Sequence, residues 1–317
     1  MLRVRLDNGV VLMEQAPVPD RPPGYALIRL LHAGICSTDL HLQRGYYGFS
    51  GVPGHEFCGE VLECDDLQWR GATVVGEINL ACRDCDWCRR GLARHCPART
   101  VLGIVRHPGA FAEMLTLPEG NLHRVPKGVT PERAVFTEPV AAACEILDQV
   151  KIPNGAEVAV LGDGKLGLLI AQVLQIGGSR VHLFGRHAKK MGLVERAGIE
   201  ARLAGERLPV AGYDYVVEAT GSAAGFEQAV AMTRPRGTLI LKSTVHGKVT
   251  IDTAPVIVNE ITLVGSRCGR FEPALELLAG GKMILDPLIE DRFPLAQAPE
   301  AFARAAEKGV LKVLLDN

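Results

Sequence analysis

The stretch AEVAVLGDGKLGLLIAQVLQIGG, residues 156–178, decides how the whole chain is read. EVAVL is a short apolar run of strand character, and LGLLIAQVLQI continues as a helix that ends at a glycine pair. Between them Gly162, Gly164 and Gly167 form G-x-G-x-x-G. In a strand-to-helix context the first glycine allows a tight turn and the second lets the backbone approach a pyrophosphate. The third lets helix and strand pack. The N–H groups at the helix start, around Lys165 and Leu166, face the anion. A Gly-rich turn without a ligand has the same spacing, so the flanking strand and helix carry the reading.

Downstream, the alternation of RVHLFG, YDYVVEATG and GTLILKS with helical segments predicts a parallel sheet with crossover helices, a Rossmann-type doubly wound α/β domain. Upstream, residues 1 to about 135 read as short strands such as GYALIRLLHAG and FAEMLTLP, with most Cys and His in the loops. After residue 266 come the helices EPALELLAGG and APEAFARAAEKG and a last strand, VLKVLLDN, expected to rejoin the first domain. The expected organisation is a β-rich domain from 1–139 with 267–317, and a dinucleotide domain from 140–266.

At the end of RVHLFGRHAKK a protein that binds NAD usually carries Asp or Glu for the adenine ribose. This chain has Gly185, Arg186 and His187, with Lys189 and Lys190 following. A missing carboxylate and added cations suit a 2′-phosphate, which favours NADP over NAD. The plainer reading is a solvated basic surface.

The chain of 317 residues is 47% hydrophobic and 22% charged with a net charge of -1, so nothing points to nucleic acid or an anionic membrane as partner. No export signal is visible, and the apolar runs fall short of the roughly 20 residues that span a bilayer. A cytoplasmic location follows as the expectation. The nine cysteines agree, because four of them crowd into CRDCDWCRRGLARHC, residues 82–96, at metal-ligand spacing.

Cys82, Cys85, Cys88 and Cys96 can close a tetrahedron around one zinc ion, leaving no open position for substrate. An iron–sulfur cluster is the rival, since Cys-Pro follows a C-x2-C-x2-C run, and disulfides are a third reading. Chemistry would then fall to sparser residues in GICSTDLH (34–41), PGHEF (53–57) and TEPVAAA (137–143). Cys36, His55 and Glu138 supply sulfur, nitrogen and oxygen. Three protein ligands and one open position let zinc act as a Lewis acid.

GICSTDLH, PGHEF, the four-cysteine loop, TEP and the central G-x-G-x-x-G, in this order, resemble the zinc-containing medium-chain alcohol dehydrogenase family. The likeness covers nearly the whole chain, and Glu138-Pro139 is closest to its sorbitol and threonine dehydrogenases. The resemblance implies a GroES-like catalytic domain and two zinc ions per chain. It implies that Cys36, His55 and either Glu56 or Glu138 bind the catalytic zinc, that Thr38 takes the substrate proton and His41 passes it on, and that Asp39 orients His55. It also implies a homodimer or homotetramer, with the strand in EITLVGSRCG as a place for two copies to pair. The expected reaction is hydride transfer between an alcohol, polyol or sugar and NADP(H), or its reverse on the carbonyl. The alternatives are a non-catalytic NADPH-binding sensor and a metal-free reductase of activated double bonds.

Overall fold

The computed structural model describes residues 1–204, 208–244 and 250–317, the side chain of Tyr47 excepted. They form two compact units, Met1–Glu138 with Leu288–Asn317, and Pro139–Pro287.

The second unit contains a six-stranded sheet in the order 200–203, 180–185, 157–161, 213–218, 233–241 and 262–265, with every neighbouring pair parallel. Buried on both faces, its central strands read as unbroken apolar runs. Val158, Ala159, Val160 and Leu161 are all inside. The helix Lys165–Ile176 follows directly and buries Leu168 through Leu174. Strand order reverses beside 157–161, which places the glycine loop at the crevice where such sheets bind ligands.

Two of the three motif glycines are sterically required. Gly162 has φ +124, and a Cβ there would stand 2.6 Å from the Ala219 carbonyl oxygen. A Cβ on Gly167 would collide with the Gly162 carbonyl. By contrast, a Cβ on Gly164 would meet nothing within 4 Å, so this glycine leaves space open.

The first unit is built on a seven-stranded sheet. Its order is 122–124, 73–76, 56–63, 25–35, 312–316 and 289–294, with 114–118 also paired to 25–35. The long 25–35 strand runs antiparallel to both 56–63 and 312–316, so the last strand of the chain lies in the middle of the first unit. A hairpin of Leu2–Asp7 and Val10–Gln15 precedes it, turning at Asn8-Gly9 with both residues at positive φ. A three-stranded sheet of 79–80, 100–102 and 106–107 frames the four-cysteine loop.

The chain returns to the first unit later than the sequence reading expects. Residues 267–287 stay with the dinucleotide unit, where the helix Phe271–Ala279 buries Phe271, Ala274, Leu275 and Leu278. Gln172, itself buried, ties this segment down: its Oε1 accepts from Ile284 N at 2.7 Å and its Nε2 donates to Ile284 O at 3.2 Å. The crossing falls at Pro287-Leu288. Among the described residues no helix is long and apolar enough to cross a membrane.

Replacing Gln172 by Ala leaves the two Ile284 backbone groups without that partner, and should cost about 1–3 kcal/mol. A fall of several degrees in the thermal unfolding midpoint is expected. An unchanged midpoint would show that solvent satisfies these groups and that the tie is dispensable.

Candidate active site

Cys36 ends the 25–35 strand and caps the helix Ser37–Gln43. Three residues on, the fully buried Asp39 reaches back: its Oδ2 accepts from Cys36 N at 2.8 Å. This is half of a capping box, legible as C-S-T-D. Oδ1 of the same carboxylate accepts from Gly54 N at 3.2 Å and lies 3.4 Å from His55 Nδ1. One carboxylate thus holds together the two loops that carry Cys36 and His55.

The sulfur of Cys36, a ring nitrogen of His55 and a carboxylate oxygen of Glu56 come within 4.8 Å of one another. His55 is buried, and its Nδ1 has no hydrogen-bond partner among the described residues. Burial alone would lower the His55 pKa. The charge of Asp39 outweighs it and, with Cys36, holds the pKa well above its ordinary value. One soft sulfur, one imidazole and one carboxylate enclosed so closely form a donor set that fits zinc.

The two glutamates differ in their surroundings. Glu56 forms a buried ion pair with Lys312, and each side chain is 1% exposed. The Lys312 ammonium also sits 5.8 Å from the centre of the Phe136 ring. Gly34 makes room for the pair, since a Cβ there would stand 2.7 Å from Glu56 Oε2 and 2.9 Å from Val135 Cγ1. Glu138, at the start of the helix Thr137–Gln149, lies outside the three-donor group. Burial pushes its carboxyl up to about 7, helped by the charges of Glu56 and Glu77 and opposed by His55 and Lys312.

Thr38 and His41 stand three residues apart on the Ser37–Gln43 helix, and therefore on one side of it. The Cys36 thiol donates to Thr38 Oγ1 at 3.8 Å. The His41 ring meets Tyr46 edge-on, with centroids 6.3 Å apart.

Apart from this site, four thiols gather in the 82–96 loop. The Sγ separations are 3.5 Å for Cys85 to Cys88 and for Cys96 to Cys82, 3.8 Å for Cys85 to Cys96, and 3.9 Å for Cys82 to Cys88. Zinc–sulfur bonds of about 2.3 Å in a tetrahedron require sulfur separations of about 3.8 Å. Backbone N–H groups of Asp84 and Cys85 bring the Cys82 thiol down to about 6, while desolvation and neighbouring thiols push Cys88 up to about 12. Such a group ionises fully only around a cation, and no disulfide links any cysteine.

In the second unit, Gly164 caps the helix that begins at Lys165 and Leu166. Gly185 closes the 180–185 strand, with Arg186 exposed and His187 and Lys190 half-buried. His187 is engaged by Asp163, a residue that the sequence reading passed over because it occupies a variable position of the glycine motif. Lys312 was also missed. A lone cation in the apolar run LKVLL was the signal for it.

Two family profiles match the chain: "Alcohol dehydrogenase GroES-like domain" over residues 22–127 and "Zinc-binding dehydrogenase" over 166–280. The L-threonine 3-dehydrogenase of Streptomyces avermitilis is 30% identical, with 100% of this chain and 98% of the relative covered. The sorbitol dehydrogenase of Halalkalibacterium halodurans is 26% identical over 99% and 98%. Among solved structures, a protein described as a zinc-binding dehydrogenase from Sinorhizobium meliloti 1021, bound to NADP, matches with a TM-score of 0.90. It is 29% identical and covers 100% of this chain and 99% of its own.

Replacing Lys312 by Met strands the Glu56 charge and should cost about 3–5 kcal/mol, whereas adding Glu56→Gln should recover most of that loss. Additive losses in chemical unfolding would refute the pairing. The sign for Glu138 follows from its raised pKa. In metal-free protein its contribution to stability is fully present below its ordinary value of 4.5 and is lost as pH rises through about 7. Glu138→Gln should therefore match the unsubstituted protein near pH 5 and melt higher near pH 8 when both are stripped of metal. Equal midpoints at both pH values would show that the carboxyl is not perturbed.

Proposed function

The chain belongs to the zinc-containing medium-chain alcohol dehydrogenase family and acts on CH–OH groups, and from that premise we propose that it oxidises a polyol or sugar alcohol with NADP and reduces the matching carbonyl with NADPH. The observation that carries this reading is the enclosed sulfur, nitrogen and oxygen donor set of Cys36, His55 and Glu56, with Thr38 and His41 beside it. Zinc held by such donors supplies a Lewis acid that lowers the pKa of a substrate hydroxyl.

Asp39, 3.4 Å from His55 Nδ1, orients the ring and leaves Nε2 as the nitrogen that would bind the metal. Thr38 accepts the hydroxyl proton and His41 relays it. With the cofactor bound, the C–H hydrogen would leave with its two electrons as hydride to the nicotinamide while the O–H proton passes to Thr38, and the alcohol becomes a carbonyl. Glu56 would be the third ligand of the zinc, with Glu138 the alternative carboxylate, while Lys312 pairs with Glu56. Cys82, Cys85, Cys88 and Cys96 hold a second, structural zinc.

In the dinucleotide unit, Gly162, Gly164 and Gly167 with the helix start at Lys165 and Leu166 receive the pyrophosphate. Gly185, Arg186, His187 and Lys190 select NADP. The NADP carried by the Sinorhizobium meliloti protein supports this choice. The alternative of a non-catalytic NADPH-binding protein is not favoured, because the donor set and the proton path would have no use in it.

The strand Thr262–Gly265 is an open edge of its sheet, and Leu263, Ile257 and Val258 beside it are exposed. That edge supports pairing of two copies, hence a homodimer or a homotetramer made from it. Cysteines without disulfides suit the reducing cytoplasm.

Zinc-loaded protein offered NADP or NAD with a panel of alcohols, polyols and hydroxy-amino acids should reduce NADP with a polyol. Cys36→Ala should lower turnover at least about a thousandfold while NADP still binds. Cys88→Ser should instead lower the thermal midpoint and the metal content. Retained turnover in Cys36→Ala, or NADPH binding with no reaction on any alcohol, would count against the reading.

A further inference from the structure

Asp163 performs a task that the glycine motif does not require. Its Oδ2 accepts three hydrogen bonds: from Arg186 N at 2.8 Å, from His187 N at 2.7 Å and from His187 Nδ1 at 2.9 Å. The residue is buried. Burial would raise its pKa, but the bonds from His187 and Arg186 outweigh that and hold the carboxyl below its ordinary value. It is a charged carboxylate spent on the turn that follows the second strand.

Gly185 and Asp163 form one steric unit. A Cβ on Gly185 would stand 2.5 Å from Asp163 Cβ and 2.7 Å from its Oδ2. An Asp or Glu at position 185, where NAD binders keep their ribose carboxylate, would displace Asp163. This chain therefore has a carboxylate from the glycine loop in place of one from the strand end. The two point to different partners: a strand-end carboxylate would receive ribose hydroxyls, whereas the Oδ2 of Asp163 is occupied by protein donors.

His187 gives the arrangement its consequence. With Nδ1–H donating to Asp163, the other nitrogen, Nε2, lies on the opposite edge of the ring. We infer that Asp163 is a positioning residue for cofactor choice, fixing the 185–187 turn and aligning His187 so that its Nε2 edge faces the 2′-phosphate of NADP. This inference rests on the NADP reading given above. Asp163 acts through His187 and touches no reacting atom, and its Oδ2 is engaged by three protein donors.

The test is calorimetric titration of the whole protein with NADP and with NAD, for the unsubstituted chain, Asp163→Asn, His187→Gln and the double variant. A lost charge-assisted bond should lower the ratio of NADP to NAD affinity by about tenfold in His187→Gln, and by about threefold or more in Asp163→Asn. The double variant should fall no further than His187→Gln alone, because the two residues act as a unit. His187 is half-exposed, so that variant reports even if Asp163→Asn folds poorly. Equal weakening of both cofactors would mean that Asp163 only holds the turn and would overturn the inference. So would an unchanged ratio, or tighter NADP binding. The unsubstituted ratio tests the NADP reading separately: tighter NAD binding there refutes that reading, while the change of ratio between variants tests Asp163.

Discussion

Lys312 and Glu56 face each other where almost no water reaches, and much of the catalytic unit is arranged around that fact. A buried ion pair repays its desolvation only with close geometry, and breaking one leaves a charge that the interior cannot tolerate. Gly34 gives up its side chain to admit the pair. The 312–316 strand must lie against 25–35 to deliver the ammonium, and Phe136 covers it. Asp39, Glu56, Glu138 and the thiol of Cys36 all gather near the same point. Burial alone would lower the Lys312 pKa, and the charges of Glu56, Cys36 and Asp39 outweigh it and keep the ammonium charged.

The two cysteine-bearing sites solve opposite problems by their placement. In the 82–96 loop, short spacing and a local framework bring four like groups together, so the segment contains all four candidate donors. At the candidate active site the donors come from separate elements, and a single carboxylate, Asp39, bonds the backbone at two of them. One site can form from local chain alone. The other needs the sheet to exist first.

This difference explains how much could be read from residues. The parallel sheet was legible because EVAVL, the glycines and LGLLIAQVLQI each obey a local rule, and the four cysteines were legible because their ligands are neighbours in sequence. Cys36, His55 and Glu56, which the structure brings together, were legible only through the order of motifs along the whole chain. Lys312 and Asp163 were not read, because their partners lie 256 and 24 residues away and neither position belongs to a pattern. The boundary near 267 was misjudged for a related reason. The apolar face of the Phe271–Ala279 helix announces burial, but only the contacts of Gln172 say against which unit.

The separation of Lys312 from Glu56, 256 residues along the chain, has a consequence for biosynthesis. The chain emerges from the ribosome N-terminus first, so the 25–35 strand and the 56–63 strand that begins at Glu56 are made long before the 312–316 strand that pairs with 25–35. The dinucleotide unit lies in one continuous segment, Pro139–Pro287, and can fold as soon as it is released. The first unit must wait for the 312–316 strand, and its acidic centre lacks the Lys312 ammonium in the meantime. Translation thus imposes an order in which the half that carries the cofactor loop is finished before the half that carries the candidate metal donors.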